Sequence, residues 1–198
     1  MHWDRFFEDL EDQLDSEWEA ERAALDTEAE RLRIARVPLH DRLVAISRMR
    51  KAVSLHVGDA APLVGHLTRV GADWCAIVSD AASPLATIVP IAAIVELGAP
   101  AEVVLEAVRD AQPGTSLALR MGFGFVLRDL VRRRTPVTVR LVDGSTRSGT
   151  IDRAGADHFD LALHEPGAPR RMGNVTGYRV VPFVAVRAVR LDAPVELM

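Results

Sequence analysis

Two rhythms of apolar and polar positions divide the chain. In the first, Trp3, Phe7, Leu10, Leu14, Trp18, Leu25 and Leu32 recur at steps of 4, 3, 4, 4, 7 and 7. That period lays a narrow apolar stripe along one helix, and the Glu, Asp, Arg and Ala between suit a solvated face. A helix is predicted over 3–36, ended or kinked at Pro38, whose ring lacks the donor a helix ladder needs. The stripe is too thin to bury the helix in a globule. It suits a two-stranded coiled coil or docking along a protein partner.

Beyond an amphipathic segment at Leu39–Met49, the rhythm shortens to two. Val53, Leu55 and Val57 alternate with Ser54 and His56, and Val137, Val139 and Leu141 alternate with Thr138 and Arg140. Alternation of this kind predicts half-buried strands. The two stretches belong to a longer repeat with an offset of 84 residues. Over positions 53–77 the copies share Val53/Val137, Asp59/Asp143, Gly65/Gly149, Arg69/Arg153, Gly71/Gly155, Ala72/Ala156 and Asp73/Asp157 without a gap. The strands at Val89-Pro90 and Val181-Pro182 align after an eight-residue insertion in the second copy. A repeat of this length points to one supersecondary unit used twice.

Within each unit, Asp143-Gly144 signals a tight hairpin, and Gly65 and Gly149 fall inside strands, where glycine marks a sharp bend. Between the units, Ala101–Asp110 reads as an amphipathic helix broken by Pro113-Gly114. A further helix, capped by Thr115 or Ser116, is expected to run to about Arg134. The predicted class is α+β, mostly β: a long N-terminal helix followed by two tandem small β-barrels joined by a helical linker. The corresponding segments are 1–36 (acidic amphipathic helix), 37–98 (first barrel), 99–134 (linker and lead-in helix) and 135–198 (second barrel). The open strand edges of such barrels invite edge-to-edge pairing of the two copies.

Charge sharpens this division. Residues 1–36 hold 12 acidic and 5 basic side chains, whereas 120–198 hold 13 Arg against 8 acids. An acidic arm followed by a basic body suggests a nucleic-acid surface, or a tail that covers one. Lys51 is the single lysine, a skew that resembles proteins of high-GC bacterial genomes. The acidic start is unlike a signal peptide, and no run of 18 apolar residues predicts a membrane span. One cysteine, Cys75, excludes a disulfide framework. A soluble cytoplasmic protein is expected.

The repeat resembles the Sm-like fold, a helix followed by a strongly bent five-stranded barrel, over roughly 39–97 and 120–191. The matching first motif is Gly149, Ile151 and Asp157-His158-Phe159-Asp160-Leu161 in one copy, and Gly65, Leu67 and Asp73-Trp74-Cys75-Ala76-Ile77 in the other. The Asn with which that family holds an RNA base is replaced by Asp160 and Ala76, neither of which offers an amide. The family's second motif, a basic residue followed by Gly, gives way to Val89-Pro90-Ile91 and Val181-Pro182-Phe183. PRC-type and SH3-like small barrels share the short strands and bending glycines.

The chemistry-bearing residues form no catalytic constellation: nucleophile elbow, P-loop, zincin and dinucleotide signatures are all absent from the sequence. His56 and His66 would supply only two metal ligands, and His158 and His164 no more, so no metal or cofactor is expected. Asp73 and Asp157 fall at turns and are read as local backbone partners. Arg132, Arg133, Arg134, Arg140, Arg147, Arg170, Arg171 and Arg179 are the candidate nucleic-acid contacts, their guanidinium forks suiting phosphate oxygens. Tyr178 and Phe159 would stack on bases if exposed. The loop from His164 to Gly177 is the main difference between the copies. The expected function is a non-enzymatic protein-interaction or scaffold module acting through a protein partner or self-association. The alternative is an RNA- or DNA-binding regulator using the Arg-rich face of the second copy.

Overall fold

The computed structural model describes residues 2–58, 61–80, 84–111 and 117–193, with the side chains of 2–17 and 20 outside that set. The chain divides into two compact units, 1–38 and 39–198. The first unit is a single helix, α1 (His2–Ala35). The described side chains from Trp18 to Leu32 are almost all exposed, and Arg33 pairs with Glu30 through Nε at 2.7 Å and Nη2 at 2.8 Å.

The second unit opens with α2 (Leu39–Met49), then β1 (Ala52–His56), β2 (Leu63–Val70), β3 (Trp74–Val78), β4 (Ala86–Pro90) and β5 (Glu96–Gly98). Two helices follow, α3 (Ala101–Arg109) and α4 (Phe123–Arg133). The chain then forms β6 (Pro136–Leu141), β7 (Thr146–Ala154), β8 (His158–Leu163), β9 (Gly177–Pro182) and β10 (Val186–Leu191). All ten strands belong to one antiparallel sheet in the order β5-β1-β2-β3-β4-β10-β6-β7-β8-β9. Among the described residues no helix is long and apolar enough to cross a membrane.

This overturns the expectation of two tandem barrels on a linker. The ten strands make one open, continuous sheet, because the edge strand of each half finds its partner in the other: β10 pairs with β4 through Val189↔Ile88 and Arg190↔Thr87. An unpaired edge is a row of unsatisfied donors and acceptors, and joining two such edges removes both. Nor is α3 a spacer. Its Val103 and Ala107 are buried in the core of the first half with Leu43 and Ile46 of α2. The helix expected to run to Arg134 begins only at Phe123, preceded by a short 3-10 turn at Leu117–Arg120, while Thr115 and Ser116 lie outside the described residues.

Two cores lie on opposite faces of this sheet, and its central strands serve both. Ile88 on β4 and Val189 on β10 face one core, while their neighbours Val89 and Ala188 face the other. Strands apolar on both faces read as near-continuous hydrophobic runs, as Ile88-Val89 and Ala188-Val189 do.

Positions 84 residues apart hold matching local geometry. Val53 lies opposite Gly65, and Val137 opposite Gly149. The pairing slips between Leu67 and Arg69 and again between Ile151 and Arg153. Arg50 and Arg134, which follow α2 and α4, adopt left-handed φ values of 52° and 51°. At the predicted hairpin, Gly144 takes a φ of 77°, and Asp143 accepts bonds from the Ser145 amide (2.9 Å) and hydroxyl (2.6 Å).

Candidate functional site

The seam between the halves is held by more than strand pairing. Gly71, Ala72, Asp73 and Trp74 form the turn before β3, and this turn grips the lead-in to α4. The Asp73 carboxylate accepts the Phe123 amide at 2.6 Å, the Trp74 indole donates to the Met121 carbonyl at 2.9 Å, and the Ala72 amide donates to the same carbonyl at 3.0 Å. Asp73 thus caps a helix fifty positions away: a carboxylate at a helix N-terminus satisfies a free N–H and complements the helix dipole. The turn reading of Asp73 captured its place but missed its partner. Trp74, Ala76 and Ile88 complete the seam by entering the core formed mainly by α4 and the second-half strands.

The second half carries the same turn, and its hold on α4 is slighter: Arg128 Nη1 donates to the Gly155 carbonyl at 3.2 Å. The Asp157 carboxylate bonds His158 Nδ1 at 2.8 Å, which holds it below the usual carboxylate range, and the Asp157 carbonyl accepts the Phe183 amide at 2.7 Å as the Asp73 carbonyl accepts that of Ile91. β9, the counterpart of β4, is an outer strand of the sheet. Where Ile88 is fully buried, its counterpart Val180 is 68% exposed, alongside exposed Tyr178 and Val184. At the other outer edge stands β5, the counterpart of β10.

The predicted arginines do not form one continuous surface. Arg132 and Arg134 of the run after α4 and Arg170 of the inserted loop line a cleft of about 440 Å³ with Arg153 and Asp152. Most of this charge is engaged. Arg132 and Arg133 bond the buried Asp129 at 2.6 and 2.8 Å, Arg153 lies 3.8 Å from Asp160, and Arg170 grips Asp152 through both Nε and Nη2. Arg134 has no such partner among the described residues. Arg147 and Arg179 donate to the carbonyls of Thr146 and Tyr178 next to them, and Arg171 is exposed. Arg140 stands apart from this cleft, in a groove at the seam. Tyr178 is exposed, whereas Phe159 is buried against Phe183 and cannot stack on a base.

No family model matches the chain, and no curated protein matches it. The site is therefore read from its own geometry. Of the helix stripe, Trp18, Leu25 and Leu32 are exposed by 67%, 65% and 51%, while the side chains of Trp3, Phe7, Leu10 and Leu14 lie outside the described residues. His56 sits 3.4 Å from Glu96 and His66 3.0 Å from Asp80, so each imidazole has its own carboxylate. His164 is buried, with Nδ1 donating to the Glu165 carbonyl (3.0 Å) and Nε2 against the Thr150 hydroxyl (2.8 Å). No group of three potential metal ligands gathers among the described residues. Cys75 is buried and its thiol is pushed up to about 12 by burial, which keeps it protonated and unreactive at neutral pH.

Sequence reasoning missed Trp74, Asp129, Asp152 and Arg153. Arg153 carried a signal, since it is shared with Arg69 in the repeat. Asp129 had one too, three and four residues before Arg132 and Arg133 on one helix face.

Proposed function

We propose that the protein is a non-enzymatic, cytoplasmic scaffold that associates with a second copy of itself by extending its sheet at the open β9 edge. The carrying observation is the contrast between Ile88 and Val180. The chain already joins one edge of this kind to another at the β4–β10 seam, burying Ile88. It leaves the matching edge open, with Val180 exposed. Strand addition at an open edge supplies main-chain hydrogen bonds, with specificity from alternate side chains. The β5 edge of a second copy stands in the place that β10 takes at the seam. Where the seam has Trp74 and Ala76, the open edge has His158 and Asp160, so the contact is more polar and weaker than the seam. A module of this kind assembles reversibly as concentration rises.

Sedimentation of the full chain over a wide concentration range tests this. Species of two or more chains are expected, shifted toward single chains by Val180→Lys. Single chains at every concentration would overturn the reading, as would assembly that Val180→Lys leaves unchanged.

A second reading, an RNA- or DNA-binding regulator, is favoured by the gathering of Arg132, Arg134, Arg153 and Arg170 around one cleft. Its mark is binding to labelled single-stranded RNA that weakens steeply with salt and with Arg134→Ala. Binding that ignores salt would sink it.

A further inference from the structure

The seam holds a second feature that neither scaffold nor strand pairing explains. Strand register places Thr87 of β4, Arg190 of β10, Thr138 of β6 and Ser148 of β7 in one row across the sheet. The next row on the same face is Ala188, Arg140 and Thr146. All of these but Ser148 floor a groove of about 340 Å³, walled on the first-half side by Leu63. That volume falls at the small end of ligand pockets.

The charges in this groove are unequal. Arg190 is compensated: its Nη2 lies 3.1 Å from Asp192, whose other oxygen accepts the Thr138 hydroxyl at 2.8 Å. Arg140 has no carboxylate partner among the described residues, and its Nη1 is buried without any hydrogen-bond partner. A buried guanidinium N–H left unmade is costly, and such a group calls for an acceptor. The neighbours across the strands, Ala188 and Thr146, bring no negative charge to it.

The geometry points to a binding site for a phosphate group in this groove, with Arg140 as its anchor. A guanidinium fork matches a phosphate or a carboxylate equally well. The groove favours the tetrahedral anion, because Arg140, Arg190 and the Thr87 and Thr146 hydroxyls present donors from four strands. A carboxylate has two oxygens to offer them and a phosphate three or four. The ligand bridges Thr87 of the first half and the remaining donors of the second, so occupancy ties the seam together and raises the unfolding temperature.

Titration calorimetry of the full chain with inorganic phosphate, a mononucleotide and acetate tests the site, with a thermal melt of each variant as a fold control. Phosphate and the mononucleotide are expected to compete with one another and to exceed acetate. Arg140→Gln is expected to weaken both by about tenfold or more, the size of a lost charge-assisted hydrogen bond. Tighter binding of the mononucleotide than of phosphate assigns the group to a larger ligand, and equal binding assigns it to the free ion. If Arg140→Gln melts early, Arg140→Lys keeps the charge and removes the fork, and is expected to weaken phosphate less than the mutant lacking charge would. Absence of heat and of any melting shift at high phosphate would overturn the assignment. So would equal affinity in wild type and the Arg140 variants, or acetate binding as tightly as phosphate.

Discussion

Gly65 and Gly149 meet the same obstacle 84 residues apart. A Cβ on Gly65 would lie 2.0 Å from the carbonyl oxygen of Val78, and one on Gly149 would lie 2.1 Å from that of Ala162. In each case the neighbour is the backbone of the next strand, which cannot step aside as a flexible side chain can. The glycine is needed for this close approach, since neither residue has a positive φ.

Gly65→Ala and Gly149→Ala should therefore each cost more than a typical substitution, about 3 kcal/mol or more. Gly173→Ala, with open space around its Cβ position, should cost under about 0.5 kcal/mol. Urea unfolding of the three variants checks the order. Equal midpoints would mean the strands can part locally, contrary to the close packing seen.

These glycines also show what the sequence made legible. Local patterns announced themselves: the alternation at Val53–Val57, the glycines inside strands, the hairpin at Asp143-Gly144 and the period of α1 depend on residues close in the chain. The seam depends on pairs such as Arg190 with Thr87 and Asp73 with Phe123, separated by 103 and by 50 positions. The apolar runs Ile88-Val89 and Ala188-Val189 mark strands covered on both faces, but no local pattern says which strand lies beside which. Open edges announced that the two copies would join edge to edge, as β4 and β10 do, but not that the joined halves would make one open sheet in place of two barrels. The Arg-rich face shows the same dependence on the fold. A count of 13 Arg against 8 acids over 120–198 does not say that Asp129, Asp152 and Asp160 lie beside Arg132, Arg133, Arg170 and Arg153, which the fold decides.

Asp129 offers a direct check on that point. It is only 4% exposed and holds Arg132 and Arg133 on the last turns of α4. Asp129→Ala should destabilise the fold by about 1–3 kcal/mol, the cost of losing buried charge-assisted bonds. Asp129→Asn keeps the volume and one acceptor and should lose less. The same variants free two arginines, so RNA binding, if the cleft supports it, should rise as stability falls. Calorimetric melting and a salt-titrated RNA-binding assay read the two effects separately.

Cys75 gives the chain a stability slope in base. Its native thiol titrates at about 12 instead of the ordinary 9.0, because burial penalises the thiolate. Between those values the unfolded chain releases a proton that the native chain keeps, so rising pH favours unfolding. The contribution is fully present below the unfolded value. It is lost as pH climbs from about 9 toward 12, at about 1.4 kcal/mol per unit. Urea midpoints taken from neutral pH to well above pH 9 should fall more steeply in the wild type than in Cys75→Ala. Parallel curves would mean the thiol is reached by solvent in the native state.

The striped face of α1 makes the last prediction. Trp18, Leu25 and Leu32 lie seven residues apart, so they share one side of the helix, and all three are exposed in the single chain. A solvated helix carries such a row at a cost, because apolar area stays in water. The polar positions between are held by local pairs such as Arg33 with Glu30, which stabilise a surface helix only by tenths of a kcal/mol. Among the described side chains of α1, the row has most to gain from a second helix. Leu25→Asp with Leu32→Asp should lower the association of the full chain while leaving the unfolding of residues 39–198 unchanged, since those residues form a unit of their own. Sedimentation with Val180→Lys as the parallel variant separates the two contacts. Loss of mass in both variants gives two independent interfaces, loss in Val180→Lys alone confines association to the sheet edge, and loss in the helix variant alone moves it to α1.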